Sequence, residues 1–159
     1  MSVWEDIDGF NFYSSLKFVD YTVATEEERK TKRNHYKNFV RFRFILHLVY
    51  NHTQELIDAG ISTEQMKLMA LTGRSPESWS CHHKIPIHGG GSNEFRNLIL
   101  LPKELHIAVH NYIDTFTILA YKPGETHNIP IPMFEGQIYN AKKENIKYTP
   151  VTGPLPKVA

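Results

Sequence analysis

One stretch constrains this chain more than any other. It runs from Trp79 to His110, with histidines at both ends of a glycine-rich turn, an apolar run and a helix signal. It begins Trp79-Ser80-Cys81-His82-His83-Lys84-Ile85-Pro86-Ile87-His88-Gly89-Gly90-Gly91 and continues through Asn97-Leu98-Ile99-Leu100-Leu101-Pro102-Lys103 to His106 and His110. Pro102 suits the first position of a helix, where its missing N–H costs nothing. Leu105, Ala108, Val109, Tyr112, Ile113 and Phe116 give that helix an apolar face. His106 and His110 are four apart, so they stand one above the other on a single face. Imidazoles at that spacing can share one metal ion at about 2.0–2.1 Å. Residues 97–101 read as a short buried strand. The three glycines read as a flexible, tight loop. Strand, loop, strand and helix in that order would fold His82 and His83 back toward His106 and His110.

The spacing is His82-His83, 13 residues, Asn97, eight residues, His106, three residues, His110. This pattern resembles the HNH, or ββα-metal, nuclease motif of colicin-type DNases and related bacterial toxin nucleases. Lys84, Pro86 and Gly89-Gly90 match its texture, as does the Pro102-Lys103 helix start. The resemblance covers about a fifth of the chain and does not extend to residues 1–78 or 114–159. It implies an α+β fold in which a ββα-metal core at about 79–115 is embedded in a mostly helical small domain. It implies that His82, His106 and His110 bind one divalent metal ion (Mg, Zn, Ni or Mn), that His83 is the general base, and that Asn97 fixes the loop carrying the base. Two departures stand out: the loop is one residue shorter than in colicin-type enzymes, and Ser80 occupies the position of an acidic residue. The implied activity is DNA phosphodiester hydrolysis with little sequence preference, leaving 5′-phosphate and 3′-hydroxyl ends. The implied setting is a bacterial toxin or effector, with a cognate immunity protein as partner beside DNA. A phage or anti-phage defence nuclease, an RNase on the same scaffold and a non-catalytic zinc-stabilised nucleic-acid-binding module are the alternatives.

The residue types suit the chemistry. A neutral imidazole with a pKa near 6.5 can take a proton from water at neutral pH. Three protein ligands leave a metal open to substrate, whereas a fourth would close it into a structural site. Cys81 is the single cysteine; in a strand it would point away from His82, and it reads as a small buried hydrophobe. His88 reads as a solvated loop residue, with a fourth ligand or a phosphate contact as the alternative, and His35, His47, His52 and His127 read as ordinary histidines. Arg96 and Lys84 are the cations nearest the expected site in sequence, and each is a candidate contact to the scissile phosphate.

The remainder supplies scaffold. At 159 residues the chain can build its own core without disulfides. Residues 1–24 carry Trp4, Phe10, Phe12, Tyr13, Phe18 and Tyr21 and would pack on the core as strands or irregular structure. Residues 25–60 read as one long helix, opened by the box Thr25-x-x-Glu28 and stopped by Gly60. Phe39, Phe42, Leu46 and Val49 would face the core. Arg29, Arg33, Lys37 and Arg41 recur every four positions as a slowly drifting basic stripe, either a solvated face with local Glu partners or a surface that tracks a nucleic-acid backbone. A second helix starts at Ser62-x-x-Gln65, carries Met66, Leu68, Met69 and Leu71, and ends at Gly73. The nuclease domain is expected to occupy residues 1–120, and the proline-rich residues 121–159 to form an extended segment with a disordered end.

The net charge of +1, from 18 basic and 17 acidic residues, excludes a polybasic protein but not nucleic acid, because distribution matters more than the sum. No apolar run approaches the roughly 20 residues of a membrane span, and no basic-then-apolar leader is present. That fits action in the cytoplasm, or delivery into a target cell by a secretion system that needs no signal peptide.

Overall fold

The computed structural model describes residues 15–115 and 120–141. Trp4, Phe10, Phe12, Tyr13, Phe116 and the prolines of the last ten residues lie outside them.

Strand β1, Leu16–Thr22, pairs antiparallel with β4, Thr126–Pro132. A second antiparallel pair joins β2, Trp79–His83, to β3, Leu98–Pro102. Between β1 and β2 lie four helices: α1 (Glu26–His35), α2 (Arg41–Asn51), α3 (Thr53–Asp58) and α4 (Thr63–Thr72). Helix α5, Lys103–Asp114, follows β3 directly. The chain is a small mixed α/β fold.

The β2–β3 hairpin sits between two apolar clusters, and β3 is buried on both faces. Alternate side chains of a strand point to opposite sides. Ile99 and Leu101 therefore join β1, β4 and α5 through Tyr21, Leu105, Val109, Tyr112 and Ile131. Leu98 and Leu100 join the helices through Phe44, Ile45, Leu48, Leu56, Met66 and Met69. This double burial explains an uninterrupted apolar run in so short a strand.

The expected long helix over 25–60 is divided. Thr25 caps α1 by accepting from Glu28 N at 3.1 Å. A π-helical segment, Tyr36–Val40, then separates α1 from α2, and His52 (φ −130°) breaks the helix again before α3. A π turn holds more residues than an α turn, so everything after it is rotated relative to a continuous α-helix. The buried positions are Val40, Phe44, Ile45 and Leu48, while Phe39 and Phe42, expected in the core, are 52% and 46% exposed. Leu46 and Val49 are half-buried at its margin.

In α4 the expected capping box forms, with Ser62 and Gln65 bonded reciprocally. Gly73 ends it with φ +66°. Only Met66 and Met69 of its four expected apolar positions are buried; Leu68 and Leu71 are exposed. Pro102 caps α5 as the last residue of β3 rather than opening the helix from within.

Within residues 121–141, Thr126–Pro132 form β4 and the residues after it also join the body of the fold. Besides the β1–β4 pairing, Leu100 N donates to Gln137 O and Tyr139 N to Leu100 O, each at 2.9 Å. Phe134 and Tyr139 enter the core beside α5.

A candidate metal centre and its pocket

Strand alternation sorts the histidine pair. His82 is opposite Ile99 and faces α5, whereas His83, opposite Leu98, faces the helical side. On α5, His106 and His110 turn toward His82. The ring centroids of His82 lie 5.1 Å from His106 and 5.6 Å from His110. His106 and His110 are linked Nε2 to Nε2 at 2.9 Å. One ligand atom from each of the three residues falls within 4.8 Å of the others.

These residues fit a divalent metal. His82 is 1% exposed, yet among the described residues neither of its ring nitrogens has a hydrogen-bond partner. A buried imidazole left unpartnered is costly, and a metal would satisfy it. Burial holds the His82 pKa well below its usual value, and the neighbouring His106 and His110 push it further down. The same burial brings His106 down to about 4, and lowers His110 despite an opposing pull from Asp114. All three are thus neutral near pH 7, the form that binds metal.

His83 lies outside this cluster but opens into the same cavity. Its Nε2 meets Asn93 Oδ1 at 2.9 Å, and Tyr36 packs edge-on at 4.7 Å. Asn93 Nδ2 donates to Lys32 O at 3.0 Å, which fixes the amide with its oxygen toward His83. The proton of His83 therefore sits on Nε2, and Nδ1 carries the lone pair. Burial lowers the His83 pKa, with the Asn93 bond opposing it.

Asn97 holds the intervening loop together. Its Oδ1 accepts from Ile85 N at 3.0 Å, and its Nδ2 donates to Ile85 O at 3.1 Å and Ser92 O at 2.8 Å. Lys32 Nζ donates to Gly91 O at 3.1 Å, tying the loop to α1. The triglycine is tight but not loose. A Cβ on Gly91 would sit 1.7 Å from Ile85 O, and one on Gly89 would sit 2.3 Å from the Tyr21 ring.

The cavity, about 340 Å³, is lined by His83, His106, His110, His88, Tyr21, Arg29, Arg33 and Asp114, among others. Arg29 and Arg33 of the basic stripe reach it. Lys37 and Arg41 line a neighbouring groove with Arg74 and Trp79, and His106 borders both. Among the described residues none of these cations is in an ion pair, so the local Glu partners of a merely solvated face are absent.

The structure does not bring Arg96 or Lys84 to the cavity. Arg96 is exposed and pairs with Glu94 at 2.7 Å. Lys84, next to His83 in the chain, is buried on a separate surface that it shares with Arg96 and Asn97. It lies just past the end of β2, where the chain bends away. His88 is likewise not a solvated loop residue: it is half-buried and bonds Tyr21. Cys81 packs against the helical cluster, where burial pushes its thiol up to about 11. Asn93 and Tyr21 were not legible as site residues, since Asn93 is held by Lys32 and Tyr21 bonds His88, each more than sixty positions away; Asp114, one turn beyond His110 on the same helix, could have been found by its i,i+4 spacing.

No family model matches the chain, and no solved structure matches it. It is 26% identical over 131 residues to the uncharacterized protein YhhZ of Escherichia coli (strain K12), an alignment covering 82% of this chain and 32% of that protein. The chain thus spans about a third of the length of that curated relative. Among the described residues no helix is long and apolar enough to cross a membrane.

Proposed function

We propose that this chain is a metal-dependent endonuclease of the HNH, ββα-metal type that hydrolyses DNA phosphodiester bonds. The observation that carries the reading is the clustering of His82, His106 and His110 by an antiparallel hairpin and the helix after it, with His83 opening into the same cavity. His82, His106 and His110 would hold one divalent ion, whose chemistry is to polarise the scissile phosphate and favour departure of the leaving oxygen.

The chain's own groups supply the remainder. His83 Nδ1 takes a proton from the attacking water, while Asn93 accepts the Nε2–H and keeps the ring in that tautomer. Asn97 holds the loop, so base and ligands keep their spacing. Arg29 and Arg33 supply positive charge toward the substrate backbone, and Lys37 and Arg41 extend it along the neighbouring groove. A toxin or effector role with an immunity partner belongs to the same proposal and rests on the motif alone.

The test is nicking of supercoiled plasmid after EDTA treatment, with Mg²⁺, Mn²⁺, Ni²⁺ or Zn²⁺ restored, beside a structured RNA. Metal-dependent nicking, lowered about 10²–10⁴-fold in His83→Ala with metal binding retained, is the expected result. Full nicking by that variant would remove His83 as the base. Cleavage of RNA alone would reassign the substrate.

A further inference from the structure

One wall of the cavity is left unused by the metal cluster and the base. There the Tyr21 hydroxyl lies 2.6 Å from His88 Nδ1. Tyr21 is 1% exposed, and among the described residues His88 Nδ1 is its hydroxyl's hydrogen-bond partner. A buried phenol O–H must donate or remain unsatisfied. Tyr21 therefore donates, His88 Nδ1 accepts, and the His88 proton is left on Nε2.

His88 is also fixed through its backbone. Ala24 N donates to His88 O at 2.9 Å, and the adjacent Gly89 admits the Tyr21 ring where any Cβ would collide. Arg29 and Arg33, one turn apart on α1, line the same cavity. Asp114 also lines it, so these three side chains leave one net positive charge. With His88 neutral, this wall offers two guanidinium groups and one fixed N–H donor.

We infer that Tyr21, His88, Arg29 and Arg33 form a pre-built phosphate subsite, which takes a phosphate flanking the scissile one in the bound DNA strand. The inference rests on the nuclease reading above. His88 donates Nε2–H to a non-bridging oxygen, the arginines supply the charge, and Tyr21 acts as a positioning residue that sets the tautomer. No proton changes hands.

The experiment is fluorescence anisotropy of a short labelled DNA duplex in EDTA across a salt series, with plasmid nicking in restored metal run on the same preparations. His88→Ala should weaken binding about tenfold, the effect of one hydrogen bond to a charged group. His88→Gln, which keeps an N–H donor, should recover part of that. Tyr21→Phe should weaken binding about threefold while leaving the melting temperature within a few degrees. Arg29→Ala/Arg33→Ala should lower the slope of log affinity against log salt by about 2. Lys67→Ala, an exposed charge on α4, controls for net charge.

If His88→Ala and Tyr21→Phe bind and nick like the wild type, the subsite is overturned and the nuclease reading stands. If the wild type shows His88-dependent binding but never nicks, the nuclease reading falls and the anion site remains. If the wild type neither binds nor nicks, both fall.

Discussion

His83 Nε2 donates to Asn93 Oδ1 at 2.9 Å, and Asn93 is itself held by the carbonyl of Lys32. This chain of bonds joins the β2–β3 hairpin to α1 and decides which nitrogen of His83 can act as a base.

Asn93→Ala should therefore lower nicking about tenfold or more while metal binding survives, because His83 loses its tautomer and orientation. Asn93→Asp should shift the acid limb of the pH–rate profile upward. A carboxylate beside His83 stabilises the imidazolium and raises its pKa, so more base is protonated at a given pH. Unchanged profiles in both variants would separate Asn93 from the base.

Metal should stabilise the fold through the three clustered histidines. At metal one hundredfold above Kd the gain is about 2.7 kcal/mol, or roughly 5–10 °C in Tm for a chain this size. His106→Ala, at a half-buried position, should lose most of that shift with little change in the metal-free Tm. Thermal melts with and without EDTA read this out, and an undiminished shift in the variant would place the metal elsewhere.

The metal-free protein should lose stability on acidification. His106 falls to about 4 when folded, against an ordinary value of 6.5, and His82 and His110 are lowered in the same direction. The unfolded chain thus binds protons before the folded one does. No penalty is present above about pH 6.5; it grows as pH falls, and the part due to His106 is complete below about pH 4. Melts in EDTA across that range should show a falling Tm, lessened in His106→Ala. A flat profile would contradict the burial of the cluster.

Gly91→Ala should be severe, because its Cβ would meet the backbone oxygen of Ile85 rather than a side chain that can move. A loss of ~3 kcal/mol or more is expected from forced backbone displacement, measured by denaturant melts. Gly136→Ala is the comparison: its φ is positive, unlike that of Gly91, and nothing lies within 4 Å of the added Cβ, so only the backbone strain remains.

The sequence by itself determined the elements near the site. Two caps, Ser62 and Thr25, the stop at Gly73, the apolar run of β3 and the i,i+4 histidines of α5 are local signals, and each acts through hydrogen bonds or periodicity within a few residues. The spacing of His82, His106 and His110 belongs to this class because a hairpin followed by a helix is a local unit. Tertiary structure decided what depends on phase and on long-range contact. The core face beyond the π turn at Tyr36–Val40 is Phe44, Ile45 and Leu48 rather than Phe42, Leu46 and Val49; both sets have helical spacing, so packing against β3 and α4 chose between them. Lys84, just past the end of β2, is buried in a separate groove, and Arg96 pairs with Glu94. The cavity wall was completed by Tyr21, Arg29 and Arg33, from β1 and α1. These residues are fifty or more positions from His83, so their approach is set by the pairing of β1 with β4 and the burial of both faces of the hairpin, which no window of sequence contains.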